Sequence, residues 1–167
     1  MTPYPYKLSF PPSVPGTPAK KKNVDDFVSF ILFYIFAAME IDKVKYWTGL
    51  SDYDLDTAEA MFQTRRWLYV GFMCHQTIEK IFKAYWNSKI EEACPMSHNL
   101  INIAQSCGLN AIMSEEQKLF ISEIMPLNIE SRYPSYKQAI AEKLSEEKCR
   151  NLIDNTKTLQ QWIKDRL

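Results

Sequence analysis

Residues 67–86 read WLYVGFMCHQTIEKIFKAYW, and this stretch decides the fold prediction because its apolar and polar positions recur with the period of an α-helix. One side of the helix collects apolar or small residues that we expect to face a core: Trp67, Gly71, Cys74, Ile78, Ile81, Phe82 and Tyr85. A neighbouring polar stripe follows at steps of three and four: Phe72, His75, Gln76, Glu79, Lys83 and Trp86. The stretch therefore predicts a core helix that carries ionisable side chains along one edge.

The polar stripe allows two interpretations. Glu79 and Lys83 form an i,i+4 pair, and such pairs usually lie on a helix surface, where each stabilises the helix by about 0.2–0.5 kcal/mol. A histidine such as His75, at the edge of an apolar stripe, is more often a structural residue than a catalyst. The alternative is a binding site, and the residues of this helix by themselves favour the structural interpretation.

The rest of the chain continues the helical pattern, and no strand-like alternation competes with it. Ser97 is the predicted N-cap of a short third helix that stops at Gly108, and Ser114 to Gln117 form a capping box at the start of a fourth. Pro134 predicts a loop or kink after the fourth helix. We predict an all-α, up-and-down bundle of four to five helices. The predicted helices cover residues 39–63, 66–90, 98–104, 114–124 and 145–167. The last of them carries on one face Cys149, Leu152, Ile153, Thr156, Leu159, Trp162 and Ile163.

Composition excludes several kinds of site. The four glycines are far apart, which excludes a glycine-rich phosphate loop and a dinucleotide-binding turn. The four cysteines form no Cys-x-x-Cys pair and the chain has two histidines, so we expect no metal site and no cofactor. Asp52, Asp54 and Asp56 alternate on a helix, which predicts solvated charge and not a metal cage.

Charge and cysteine usage also bear on location and partners. Lysine plus arginine equals aspartate plus glutamate at 20 each, so no overall positive field would attract nucleic acid, and any RNA contact would have to be local. Cysteines on apolar helical stripes behave as small reduced hydrophobes, and this favours a cytoplasmic location.

The first 38 residues differ from the rest of the chain. Six of the nine prolines precede residue 19, and an apolar run of residues 27–38 follows, too short to cross a membrane as a helix. This leader fits an extended or disordered segment, a poorly formed signal peptide, or upstream sequence read in frame before a translation start at Met39. We favour the start at Met39, which makes residues 1–38 a leader outside the native domain and residues 39–167 the domain.

Three blocks of residues 39–167 together resemble the HEPN domain family, whose name stands for higher eukaryotes and prokaryotes nucleotide-binding. The first block is KYW at 45–47 with DYDLDTA at 52–58, the second is GFMCHQTIEKIFKA at 71–84, and the third is SHNL at 97–100 with SRYP at 131–134. The second block is similar to the family signature of a glutamine, a Glu-Lys pair and a following Lys-Ala. Family members commonly begin a few residues before the first block, and this supports Met39 as the start.

The resemblance implies a helical bundle that dimerises and is often encoded beside a minimal nucleotidyltransferase as a toxin and antitoxin pair. Many members are metal-independent RNases in which an arginine is followed, four to six residues later, by a histidine. Arginine would bind the phosphate there, and histidine would move the proton of the 2′-hydroxyl. In this chain no histidine follows Arg132, and Arg65 and Arg66 lie ten and nine positions before His75, so the usual motif is missing.

Three functional hypotheses remain from the sequence. The first is a non-catalytic module that binds a nucleotide or another phosphate-bearing ligand together with a nucleotidyltransferase partner. The second is an RNase toxin with a rearranged Arg/His centre, in which Arg132 meets His98 or His75 in space. The third is a small helical dimer whose polar stripe lines the interface. The candidate ligand-binding residues are His75, Gln76, Glu79, Lys83, His98, Arg132 and Tyr133.

Overall fold

The computed structural model describes residues 42–130 and 144–167, with the side chains of 129 and 130 excepted. The leader of residues 1–38, Arg132 and Tyr133 lie outside these ranges, so the predictions made for them stay predictions. The described residues form an all-α bundle, as predicted. Its helices are α1 (Lys43–Gln63), α2 (Trp67–Lys89), α3 (Leu100–Ser106), α4 (Leu109–Ile112), α5 (Glu115–Ile124), α6 (Leu127–Glu130) and α7 (Glu146–Lys164).

Helix α2 is the centre of the bundle. It packs against α1, α7, α3, α5 and α6, and it buries residues on more than one of its faces because helices surround it. The predicted apolar stripe is confirmed, since its members are buried except for the partly buried Trp67. The predicted apolar face of α7 is also buried, again with a single partly buried tryptophan, Trp162.

The three long helices are joined by contacts that fix their directions. Lys83 near the end of α2 meets Trp47 near the start of α1, so these two helices are antiparallel. The thiol of Cys149 at the start of α7 lies 3.8 Å from the carbonyl oxygen of Trp67 at the start of α2, so α7 and α2 begin at the same end of the bundle. Helix α1 therefore runs against both of its neighbours, which is the up-and-down arrangement.

Buried polar contacts connect the long helices at the middle of α1. The hydroxyl of Ser51 donates to the carbonyl oxygen of Thr77 at 2.8 Å, and the amide of Gln160 donates to Ser51 at 2.8 Å and to Asp52 at 3.0 Å. Asp52 also pairs with Lys164. The Asp52 side chain is 49% exposed, so it is solvated as predicted, and its carboxylate also joins α1 to α7.

The short helices differ from the sequence prediction in their bounds. Ser97 is not the N-cap of α3: the side chain of Asn99 caps it by accepting from the amide of Asn102 at 3.0 Å, while Ser97 accepts from the amide of Asn99. The capping box at Ser114 is confirmed, and Gly108 adopts a φ of 81° just after α3, as predicted for a helix stop. Helices α4 and α6, of four residues each, were not predicted.

Candidate functional site

Glu79 is the centre of the ionisable cluster on α2. Its Oε1 accepts a hydrogen bond from the Lys83 ammonium at 2.7 Å, and its Oε2 lies 2.9 Å from Nδ1 of His98. Lys83 follows one turn later on the same helix, whereas His98 comes from the segment that leads into α3. Three residues of the predicted site, separated by up to 19 positions, therefore meet at one carboxylate.

The environment of Glu79 keeps it ionised. Burial by itself raises the pKa of this carboxyl group, but hydrogen bonds from Lys83 and His98, together with their charges, outweigh burial and lower the pKa below its ordinary value. The side chain is 2% exposed, so its charge is compensated by protein groups and not by water.

Lys83 is not the solvated side chain that an i,i+4 pair predicts. Its side chain is 10% exposed, and its Nζ lies 5.0 Å from the centre of the Trp47 ring on α1 in addition to its contact with Glu79. The prediction of an exposed Glu79–Lys83 pair is wrong, because α1 covers the face of α2 on which the pair lies. Trp47 is therefore a neighbour of the site that was not among the predicted residues.

His98 is the solvent-facing member of the cluster. Its side chain is 61% exposed, although one ring nitrogen is held against the buried carboxylate. The hydrogen bonds of Ser97 and Asn99 that begin α3 fix the backbone on either side of it. A ligand that approaches from solvent would therefore reach His98 before it reached Glu79 or Lys83.

His75 occupies the interior side of the same carboxylate. It is fully buried, and its Nδ1 lies 4.0 Å from Oε2 of Glu79, too far for a hydrogen bond. Neither ring nitrogen has a hydrogen-bond partner among the described residues. Burial is the main cause that lowers the pKa of His75, to about 4, so the ring is neutral near neutral pH.

Gln76 belongs to a second polar network on α2. Its Nε2 donates to Oδ1 of Asn128 on α6 at 3.2 Å, and its Oε1 accepts from Lys80 at 2.8 Å. Lys80 in turn lies 3.4 Å from a carboxylate oxygen of Asp54, whose side chain is 18% exposed, so the prediction of solvated charge is wrong for Asp54. Gln76 therefore connects α2 to α6 and α1, and the contacts of its amide are with this network, not with Glu79. Lys80 and Asn128 were missed as members, although the i,i+4 spacing of Gln76 and Lys80 was a signal for the first of them.

The cysteines lack the properties of nucleophiles or metal ligands. Burial raises the pKa of all four thiols, to about 12 for Cys74 and about 11 for Cys149, so these groups stay protonated near neutral pH. Among the described residues, no group of three or more histidine, cysteine, aspartate or glutamate side chains could hold a metal ion. In the same ranges, no helix has the length and apolar character needed to cross a membrane.

Known proteins share both the sequence pattern and the fold of this bundle. The family model described as the HEPN domain matches residues 44–166, most of the chain and nearly all of the described bundle. The chain belongs to the HEPN domain family. This HEPN domain also resembles a solved structure, the crystal structure of TT1696 from Thermus thermophilus, with a TM-score of 0.66 and 13% sequence identity.

The likeness to TT1696 covers 76% of this chain and 100% of that chain, and at this low identity it shows the shared fold alone. No curated protein sequence matches the chain significantly. Membership of the family supports a nucleotide-binding or RNase-type domain, and the finer assignment depends on the geometry of the site.

Proposed function

We propose that this HEPN domain binds a nucleotide or another phosphate-bearing ligand, without cleaving it, at the surface around His98. The observation that carries the proposal is the pairing of the exposed His98 ring with the buried Glu79–Lys83 ion pair. A buried ion pair is poor evidence for stability, because apolar side chains of similar volume often stabilise a protein as well or better. Its position behind an exposed histidine supports a role in holding that histidine for a ligand.

Burial changes the roles that we assign to the predicted site residues. Lys83 is one of the predicted ligand-binding residues, but its ammonium donates a hydrogen bond to Glu79, so we assign it to the support of that carboxylate. His75 and Gln76 are buried and belong to the supporting structure. We propose that Arg132 supplies the phosphate contact and that Tyr133 stacks on the base.

The test is a calorimetric titration with AMP of four proteins: the wild type, His98→Gln, Arg132→Ala and Lys118→Ala. Loss of a charge-assisted hydrogen bond from Arg132 should weaken binding about tenfold or more, and loss of His98 should weaken it by a smaller factor. Lys118→Ala is the matched control, because it also removes one positive charge but from an exposed pair with Glu115. Equal affinity in all four proteins would contradict the binding site.

A second candidate function is a metal-independent RNase with a rearranged Arg/His centre. The difference in burial between the two histidines decides which of them could be catalytic. His75 is fully buried and His98 is exposed, so a catalytic histidine would have to be His98. Cleavage of an RNA oligonucleotide in the presence of EDTA that disappears in His98→Gln and persists in His75→Leu would replace the binding proposal with this one. Absence of cleavage by the wild type would rule it out.

We also propose the cellular context that the family suggests: a cytoplasmic homodimer that partners a minimal nucleotidyltransferase as a toxin and antitoxin pair. Sedimentation equilibrium of the purified chain tests the homodimer. Copurification with the product of an adjacent nucleotidyltransferase gene tests the pair, and absence of such a gene beside this one would count against it.

A further inference from the structure

We propose that Glu79 is a positioning residue that holds His98 as the tautomer with its proton on Nδ1, so that Nε2 of this largely exposed ring accepts a hydrogen bond from a hydroxyl group of the ligand. The distances around Glu79 support the tautomer in the free protein. Its second half, the identity of the ligand group, rests on the proposed function and is tested separately.

The hydrogen bond between Glu79 and His98 fixes the position of one proton. An ionised carboxylate has acceptors and no hydrogen to donate, so Nδ1 of His98, 2.9 Å from Oε2, has to carry the proton of this hydrogen bond. A neutral imidazole has a single N–H, and Nε2 therefore has a free lone pair. The tautomer of a histidine is generally set in this way by the bond that its other nitrogen makes.

The contact with Lys83 keeps the Glu79 carboxylate from turning away from His98. Oε1 is bound by Lys83 at 2.7 Å, and rotation of the carboxylate away from this contact would leave an ammonium that is 10% exposed without its partner. Trp47 lies against the same ammonium from α1. His75, the other histidine beside Glu79, is 4.0 Å away and does not form a hydrogen bond that would compete for Oε2.

The lone pair of Nε2 determines which group of a ligand can bind to His98. A phosphate oxygen is an acceptor and has no hydrogen for the lone pair of Nε2, whereas a ribose hydroxyl donates one. The arrangement thus points to a ribonucleotide whose sugar meets His98, with the phosphate bound elsewhere. It assigns His98 a preference for ribose over a sugar that lacks both hydroxyl groups.

The first half of the proposal can be tested without any ligand. Nitrogen-15 NMR of the imidazole rings, at a pH where the His98 ring is neutral, distinguishes the two tautomers, and His98→Gln assigns the signals because the chain has two histidines. We expect the Nδ1–H tautomer in the wild type. The Nε2–H tautomer, which neutral histidine prefers in water, would overturn the proposal.

Two variants test whether Glu79 is the cause of the Nδ1–H tautomer of His98. Glu79→Asp keeps the charge beside Lys83 but withdraws the carboxylate by one carbon–carbon bond, roughly 1.5 Å. The double variant Glu79→Leu, Lys83→Met removes both charges and leaves no buried ion unpaired, so it should fold even if the single change does not. We expect both proteins to return to the Nε2–H tautomer. Retention of the Nδ1–H tautomer in either folded variant would overturn the positioning role.

The ligand half is tested by titration with AMP and with 2′,3′-dideoxy-AMP. Loss of one hydrogen bond predicts about three- to tenfold weaker binding of the dideoxy compound by the wild type, and no difference between the two compounds in His98→Gln. Equal affinity of the wild type for both would overturn the assigned ribose contact. If AMP did not bind, the proposed function would fail, while the NMR result on the free protein would still decide the role of Glu79.

Discussion

The ammonium of Lys83 lies 2.7 Å from Oε1 of Glu79 inside the bundle, where the two side chains are 10% and 2% exposed. Removing one partner of such a pair leaves a buried charge without compensation, whereas removing both leaves none. The pair consequently affects folding in a different way from the surface pairs that share its i,i+4 spacing.

We predict that Lys83→Ala lowers the free energy of unfolding by about 3–5 kcal/mol and that Glu79→Leu, Lys83→Met restores most of that loss. Urea denaturation of the two proteins and the wild type is the measurement. The control is Lys118→Ala, which breaks an exposed pair with Glu115 and should change the free energy of unfolding by less than about 1 kcal/mol. A double variant no more stable than Lys83→Ala would show that the pair is not the cause.

A second prediction compares two glycines on neighbouring helices. A Cβ atom at Gly71 on α2 would lie 2.8 Å from Cδ1 of Leu127, whereas a Cβ at Gly49 on α1 would meet nothing within 4 Å. Alanine should therefore stabilise the helix at Gly49 by about 0.5–1 kcal/mol. At Gly71 the overpacking, about 1–3 kcal/mol, should cancel or exceed that gain.

The measurement is the difference in thermal midpoint between Gly49→Ala and Gly71→Ala. Adding Leu127→Ala tests the cause, because it removes the obstructing atom as well as buried apolar surface. Leu127→Ala is measured by itself and together with Gly71→Ala. In the Leu127→Ala protein, Gly71→Ala should lower the thermal midpoint by less than it does in the wild type. The same cost in both backgrounds would mean that Leu127 is not the obstacle.

A third prediction concerns the network that ties α6 to α2. Gln76 contacts both Asn128 and Lys80, and its side chain is buried, so Gln76→Leu leaves the Asn128 carbonyl oxygen without this donor. We expect a loss of about 1–3 kcal/mol in the free energy of unfolding. The control is Gln161→Leu, because Gln161 is exposed on α7 and bonds Asp165 there. Equal effects of the two changes in urea denaturation would contradict a structural role for Gln76.

The sequence predicts the long helices and the buried faces of α2 and α7 because helical periodicity is a local signal that packing reinforces here. It does not predict which residues cover the polar stripe. Whether Lys83 meets water or Trp47 depends on how α1 lies across α2, and a residue 36 positions earlier in the sequence carries no local sign of that contact.

The difference between local pattern and packing between helices also explains which features of the candidate site could be predicted. The structure brings together four of the seven predicted site residues, His75, Glu79, Lys83 and His98, which the family resemblance had joined from segments that are distant in sequence. The sequence could not show which histidine is a supporting residue and which one faces a ligand, because His75 and His98 are the same residue type and differ only in how far the surrounding helices bury them. The N-cap at Asn99 was missed for a local reason: Ser97 and Asn99 are both good caps, and the choice between them follows from where α3 packs.

The last prediction concerns His75 and pH. Its pKa is about 4 in the folded protein, below the ordinary value of 6.5, so the unfolded chain binds more protons between these two values. The contribution of His75 to the free energy of unfolding is therefore largest above about pH 6.5 and is lost as the pH falls towards 4. Glu79 faces His75, and because its own pKa is below the ordinary value, its stabilising contribution is lost only as its carboxyl group becomes protonated at acidic pH.

His75→Leu removes a buried ring whose nitrogens reach no partner at hydrogen-bond distance among the described residues, although Glu79, the His98 backbone and Lys80 lie near enough to act on its pKa. We expect it to reduce the fall in stability between pH 6.5 and 4, measured by urea denaturation at several pH values, and to leave stability at pH 7 nearly unchanged or higher. His98→Gln is the comparison, because it changes the exposed histidine instead of the buried one. If His75→Leu showed the same pH dependence as the wild type, protonation of His75 would not be the cause, and Glu79 would be the next residue to test, in the double variant with Lys83.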